Sequence, residues 1–190
     1  MDGSKSSVER DLIIRSQRGG RKAFGELIKR HMQRAYYAAL GLVGSHDDAL
    51  DISQEAFARA FRARKSLDPD RPFYPWLYQI LRRLSFNHIR DQRSRGRKLQ
   101  SESAWIVENA SDRAGRNDPA RLTERGEVRE RVRRAIEELS EHEREVIVLK
   151  EFEQLRYREI AELLAIPIGT VMSRLYSARR SLAGRLEDLT

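Results

Sequence analysis

Thr170, Ser173, Arg174, Ser177 and Arg180 recur at spacings of three and four residues, which places hydroxyls and guanidiniums on one face of a single helix. With no general base among them, hydroxyls and guanidiniums in this pattern recognise rather than react. A guanidinium forks onto guanine edges or phosphates, and a hydroxyl donates to either. The other face carries Val171, Leu175, Ala178 and Leu182, so the helix has one stripe to bury and one to present. A charged outer face alone is common to all solvated amphipathic helices, and the neighbouring elements must decide.

Those neighbours make a helix-turn-helix. Ser140 stands three residues before Glu143, a capping box that opens a supporting helix burying Val146, Ile147, Leu149 and either Val148 or Phe152. The spacing of Ile160, Ala161 and Leu164 predicts a second short helix over Tyr157–Leu164, and Pro167 forbids its continuation. The chain must turn at Ala165 and Ile166, and the third helix starts at Ile168. Short helices around a tight Ala-Ile-Pro turn favour a DNA-reading module over a generic bundle.

A second constellation lies upstream. Arg82, Arg83, Arg90, Arg93, Arg95, Arg97 and Lys98 accumulate along one helix, next to Phe73, Tyr74, Trp76 and Tyr78. Cations that screen phosphates beside planar rings that stack on bases suit single-stranded nucleic acid. Trp76 shares a stripe with Ile80 and Leu84 and reads as core rather than stacking surface. The preceding stretch, Lys65 to Pro75, holds three prolines and two aspartates and reads as an irregular loop, with Pro75 in the first turn of the helix.

A third feature is acidic. A helix capped by Ser45 or Asp47 turns Ala49, Ile52, Ala56, Phe57, Ala60 and Phe61 inward and Asp48, Asp51, Gln54 and Glu55 outward. Such a patch is either an ordinary solvated first turn favoured by the helix dipole or a dock for a basic protein surface. Charge alone favours the ordinary reading.

These elements require an all-α architecture. Helices are expected from Val8 to Arg18, with Leu12 and Ile13 inward and Gly19-Gly20 as the stop, and from Ala23 through Leu42 to Gly44-Ser45. Residues 100–118 lack periodicity apart from a brief turn at Trp105 to Val107. The helical pattern resumes with Leu122, Val128, Val132, Ile136 and Leu139. The expected organisation is two small helical domains, 1–98 and 122–190, joined by a flexible linker, 99–121, with the helix-turn-helix in the second. At 190 residues and 39% hydrophobic content the chain suits one or two modest cores rather than a large enzyme fold. Thirty-seven basic against 29 acidic residues, a net charge of +8, imply a polyanionic partner. Cysteine is absent and the four histidines are scattered, so neither a metal site nor a cofactor is expected. No apolar run approaches membrane-spanning length and no signal-peptide pattern opens the chain, which predicts a cytoplasmic protein. Paired carboxylates, metal-ligand spacing and a phosphate-cradling glycine loop are all lacking, which argues against an enzyme acting on nucleic acid.

The segments DDALDISQEAFARAFR, RPFYPWLYQILRRLSFNHIRDQRSR and YREIAELLAIPIGTVMSRLYSARRSL, in this order over nearly the whole chain, resemble the core-binding helix, promoter-melting segment and upstream-element reader of the extracytoplasmic-function group of bacterial RNA polymerase sigma factors. The resemblance implies a dissociable subunit that binds core polymerase, directs promoter-specific initiation and catalyses no covalent step. It implies that Asp48, Asp51, Gln54 and Glu55 dock on a basic coiled coil of the polymerase's largest subunit, against the ordinary reading of that patch. Lys65, Ser66, Asp70, Arg71 and Phe73, with Tyr74, Trp76 and Asn87, would hold a base flipped from the downstream promoter element. Arg82, Arg83, Arg90 and Arg93 would grip the backbone. Thr170, Met172, Ser173, Arg174, Tyr176, Ser177 and Arg180 would face the upstream element's major groove, and Arg156 and Arg158 would reach phosphate. An anti-sigma factor is a further partner the family implies. Met172 and Ser177 stand where the family often has basic residues, Ala165 where glycine is common, Arg156 where a serine-like cap is usual, and Pro75 in place of a helix former. The alternative, a stand-alone helix-turn-helix regulator, accounts for the last third and leaves the acidic patch and the aromatic-basic helix without a task.

Overall fold

Glycine, serine and proline stop and start the helices. A computed structural model describes residues 3–103 and 124–187, and among them there are eight α-helices and no strand. Helix α1 is Gly3–Gln17 and α2 is Arg21–Val43; Gly19 between them has φ +98°, a conformation glycine adopts without strain. Gly44 ends α2 in the left-handed region, its N–H donating to Leu40 O at 2.8 Å. Ser45 then caps α3, His46–Ala63, by accepting from the Asp48 N–H.

Helix α4, Phe73–Ser103, departs from expectation at both ends. Its first N–H, on Phe73, donates to the Glu9 carboxylate of α1 at 3.1 Å, so the helix begins ahead of Pro75, which sits in the first turn where a missing N–H costs nothing. A 3-10 turn, Arg64–Ser66, takes up the start of the expected loop and leaves 67–72 irregular. At the far end residues 99–103, expected in the linker, are helical. The turn expected at Trp105 to Val107 and the linker's remainder lie outside the described residues. Helix α1 also starts earlier than Val8, because its first polar turn carries no apolar spacing to announce it.

The second half comprises α5, Glu124–Glu137, α6, Glu141–Ile147, a π-helical turn, Val148–Phe152, α7, Tyr157–Leu164, and α8, Ile168–Leu186. The Ser140–Glu143 capping box forms as expected. The bulge of the π turn swings Val148 into the core and leaves Phe152 about half exposed, which resolves the alternative between them. Val171, Leu175 and Ala178 of α8 are buried, as their spacing demands.

One continuous core runs through both halves. Leu27, Leu42, Ala56, Phe73 and Leu77 of the first pack in the same cluster as Val146, Val148, Leu149 and Leu175 of the second. The absence of a side chain at Gly41 permits this: a Cβ there would stand 2.8 Å from one methyl of Val148 and 3.0 Å from the other.

Ala165 adopts the left-handed conformation at the end of α7, φ 52° and ψ 46°, with the Ile166 N–H donating back to Ala161 O at 3.0 Å. An L side chain costs about 1 kcal/mol in that region. Ala165→Gly is therefore expected to raise the denaturation midpoint by the equivalent of about 0.5–1 kcal/mol; a fall would mean that the Ala165 methyl is needed for packing.

Candidate functional site

Three surfaces bring together the residues singled out in the sequence. On α8, the stripe buried against α6 and α7 turns Met172, Ser173, Tyr176, Ser177 and Arg180 to solvent, with Thr170 and Arg174 at its margins. Tyr176 is 69% exposed and Met172 53% exposed, so this face shows large groups that no other described part of the chain covers. Ser173 Oγ donates to Thr170 O within its own helix. Ser177 Oγ donates to Glu143 Oε1 at 2.5 Å, and this bond, with that from Ser140, holds the Glu143 carboxyl below the usual carboxylate range. Ser177 thus also fixes α8 against the cap of α6. At the start of α7, the Glu159 carboxylate accepts the Arg156 N–H at 2.6 Å and performs the capping that the Arg156 side chain cannot. Arg156, Arg158, Arg174 and Arg180 pair with no carboxylate among the described residues, so their guanidiniums are available to an anion.

Along α4, Arg83, Arg90 and Arg93 are exposed and Asn87 is half-buried, accepting from Arg90. Trp76, Arg83 and Arg90 line a 710 Å³ cleft together with Arg59 of α3 and Glu141 and His142 of α6. Trp76 is half-buried, packed on the core and open to this cleft. Two aromatic expectations need correction. Phe73 is fully buried, with Phe24 at 6.0 Å, His31 at 5.3 Å and Trp76 at 5.9 Å between ring centroids, because α1, α2 and α3 close over the start of α4. It presents no face to a base. Tyr74 is 4% exposed; its hydroxyl donates to Glu153 at 2.8 Å, and burial pushes its ionisation well above the usual phenol range. Arg82 is not open to solvent along its length either, since it donates to Glu145 of α6. Lys65, Ser66, Asp70 and Arg71 are exposed on the loop or at its margin. Arg10 bonds Asp70 at 2.7 Å, and Gln17 donates to Leu67 O at 2.6 Å, so the loop is strapped to α1.

The acidic face of α3 is not uniform. Asp48 turns inward to His88, 3.2 Å away, and Gln92, 3.3 Å away, both on α4. Glu55 is shared by Arg59 at 2.7 Å and Arg62 at 3.3 Å, and the hydrogen bond from Arg59 keeps its carboxyl below the usual carboxylate range. Asp51 and Gln54 are exposed. Among the described residues no three side chains gather as metal ligands, and no helix is long and apolar enough to cross a membrane.

Sequence reasoning missed the contacts between the halves: Glu145, Glu153, Arg34, Gln79, Arg144 and Gly41. One signal was present. Glu145 interrupts an otherwise inward-facing stretch, Arg144–Leu149, and a carboxylate there demands a donor from elsewhere.

Known proteins resemble this arrangement throughout its length. The Sigma-70 region 2 family model matches residues 27–95 and the Sigma-70, region 4 model residues 129–182. The chain is 32% identical to the RNA polymerase sigma-H factor of Pseudomonas aeruginosa, over 95% of each chain. It is 34% identical to the ECF RNA polymerase sigma-E factor of Escherichia coli, over 98% of each. Among solved structures, CnrH in complex with the cytosolic domain of CnrY aligns with a TM-score of 0.68 and 27% identity, covering 96% of this chain and 99% of that one. The sigma factor RpoE of Bartonella quintana, in complex with the anti-sigma factor NepR, aligns with a TM-score of 0.61 and 25% identity, covering 87% and 98% respectively.

Proposed function

Since the chain belongs to the extracytoplasmic-function group of RNA polymerase sigma factors, which bind core polymerase and direct promoter-specific transcription initiation, we propose how its own surfaces divide that task. Residues 1–98 bind core polymerase through the α3 face and take the downstream promoter element along α4. Residues 122–190 read the upstream element through α8. The covalent chemistry belongs to the polymerase, and the chain works in the cytoplasm, where the polymerase and its template are.

The observation that carries the upstream assignment is the set of guanidiniums without a carboxylate partner among the described residues, Arg156 and Arg158 at the start of α7 and Arg174 and Arg180 on α8. A solvated cation of this kind releases counterions when it meets a phosphate, and a fork on a helix seated in the major groove discriminates bases. Met172 and Tyr176 add apolar contact, the kind a thymine methyl accepts, so the preferred upstream sequence leans less on arginine forks than that of relatives with basic residues at positions 172 and 177. Downstream, Arg83, Arg90 and Arg93 grip the backbone, Trp76 borders the cleft that takes an unstacked base, and Asn87 with the exposed Lys65, Ser66, Asp70 and Arg71 completes the downstream surface. On α3, Asp51, Gln54 and Glu55 meet the polymerase directly, whereas Asp48 braces α3 against α4. An anti-sigma factor is a further partner, supported by the likeness to RpoE, whose structure was solved with one.

Run-off transcription with purified core polymerase on a promoter library tests this reading: the chain is expected to confer initiation at one defined sequence class, and unchanged start-site choice overturns it. Arg174→Ala is expected to weaken upstream recognition by about 1–3 kcal/mol with specificity relaxed at one base pair; equal loss on all sequences would reassign Arg174 to phosphate.

A further inference from the structure

The end of α1, the start of α2 and the 3-10 turn meet at one corner of the first half. Gln17 donates to Arg64 O at 3.2 Å and to Leu67 O at 2.6 Å, and Arg64 Nε donates in return to Ser16 O at 3.0 Å. Gly19 turns the chain, and Gly20 lets α2 start hard against α1, since a Cβ there would stand 2.7 Å from Arg15 O. This corner carries Arg18, Arg21, Lys22 and Lys65, all exposed. The carboxylates nearby along the chain are already matched: Asp11 with Arg15, Glu26 with Lys29, Asp68 with Arg71 and Asp70 with Arg10. None of the four cations pairs with a carboxylate among the described residues. Their placement also works against the free chain. Arg21 and Lys22 stand in the first turn of α2, where the helix dipole favours acids, and that turn holds no acid and no side-chain cap. Cations gathered at a helix start cost stability until an anion meets them.

We propose that Arg18, Arg21, Lys22 and Lys65 form a phosphate track that carries the melted promoter strand past the downstream element and over the turn between α1 and α2. Lys65 joins the two surfaces, because the loop that follows it holds Ser66, Asp70 and Arg71; the track therefore rests on the preceding assignment of that loop to the downstream element. Two observations favour a nucleic-acid backbone over an acidic protein. No large apolar side chain is exposed on residues 14–30 or 62–72, whereas a protein partner wants an apolar centre inside its polar rim. The four cations also stand on three separate elements, a spread that suits successive phosphates of one strand better than a single carboxylate. Arg64 takes no part: its guanidinium is spent on Ser16 O, on Phe61 O at 2.7 Å and on the Phe61 ring, and it holds the turn in place. Contacts of this kind release counterions and carry no sequence preference, so the track adds affinity and the residues of α4 and its preceding loop choose the sequence. Strand binding also relieves the repulsion at the start of α2, and the stability lost in the free chain returns in the complex.

Two variants of the full chain test the track. One combines Arg18→Gln, Arg21→Gln and Lys22→Gln; the other combines Lys29→Gln, Arg134→Gln and Arg185→Gln and removes the same charge from cations that already hold carboxylates. Each is titrated into a fluorescein-labelled mixed-sequence single strand over a series of salt concentrations, and separately into core polymerase. The first variant is expected to bind the strand about tenfold more weakly, with the slope of log affinity against log salt flatter by about 2, the share of three phosphate contacts on a single strand. Its affinity for core polymerase should match the parent's, and its thermal midpoint should be no lower, because the changes take cations away from a helix start. The second variant should bind the strand as the parent does. Equal losses in both variants would reduce the effect to net charge, and an unchanged salt slope in the first would remove the contacts; either result overturns the track. So does a loss confined to core polymerase, which would give the corner to an acidic protein surface, or a lowered midpoint, which would make the three residues structural. Run-off transcription by the parent tests the preceding assignment separately: its failure leaves the strand titrations standing, whereas an unchanged slope sinks the track with initiation intact.

Discussion

Lysine in place of both Asp51 and Glu55 is expected to weaken binding to core polymerase by about a thousandfold or more, roughly 4 kcal/mol, and to abolish promoter-directed initiation. The two residues lie one turn apart on the outer side of α3, so a basic partner surface meets both at once. Reversal replaces attraction by like-charge repulsion at two adjacent positions, and a cation at position 55 would also repel Arg59 and Arg62, which the native carboxylate holds as partners. The fold should survive, because the inward stripe of Ala49, Ile52, Ala56, Phe57 and Ala60 is untouched and lysine is a better helix former than aspartate. Titration of labelled chain with core polymerase, at two salt concentrations, reads the loss, and the parent's affinity should fall with salt while the variant's should not. Retained affinity in a folded variant would return the patch to the ordinary solvated turn that composition favoured. Asp48 is a poor site for this test: its carboxylate serves His88 and Gln92, so a change there mixes docking with the packing of α3 on α4.

Local signals in the sequence were sufficient wherever the determining atoms are neighbours along the chain. The bounds of α7 follow from the spacing of its apolar residues and from Pro167, and α8's buried stripe follows from the period of Val171, Leu175 and Ala178. The Ser140 cap needed only Glu143. Failures came where the partner is remote. Phe73 has the type and basic surroundings of a stacking residue, but its burial is decided by Phe24 and His31 on α2. Glu145 has its donor, Arg82, 63 residues away, and no spacing within the chain pairs the two. The end of α4 escaped for a different reason: Gln-Arg-Ser-Arg-Gly-Arg-Lys-Leu-Gln-Ser-Glu-Ser offers no apolar rhythm, and a helix whose residues are almost all polar leaves no periodic trace. The site divides the same way. Arg83, Arg90, Arg174 and Arg180 reach the surface as expected, whereas Tyr74 and Arg82 are engaged by carboxylates of the second half, and the one local signal, the inward Glu145, does not name its donor.

Phe73→Ala tests the sharpest of these reassignments. Phe73 has no exposed surface and sits where three helices converge, edge-on to Phe24 and against His31 and Trp76. Removing its ring leaves a cavity that the surrounding helices cannot collapse into without moving α4, at a cost of about 3–5 kcal/mol. For a chain of this size that lowers the melting temperature by on the order of 10 °C. Phe73→Leu, which keeps most of the volume, is expected to cost less than about 1.5 kcal/mol and to leave initiation intact at permissive temperature. A residue that stacks on an unpaired base would behave in the opposite way: alanine would leave the melting temperature unchanged and abolish duplex opening, and leucine would not rescue it. Differential scanning calorimetry beside permanganate footprinting of the melted strand separates the two. A core Phe73 would also bear on the proposed downstream site: Trp76, one turn further along α4, is the ring of that first turn that lines the cleft, and it is the one proposed to meet a base leaving the stack.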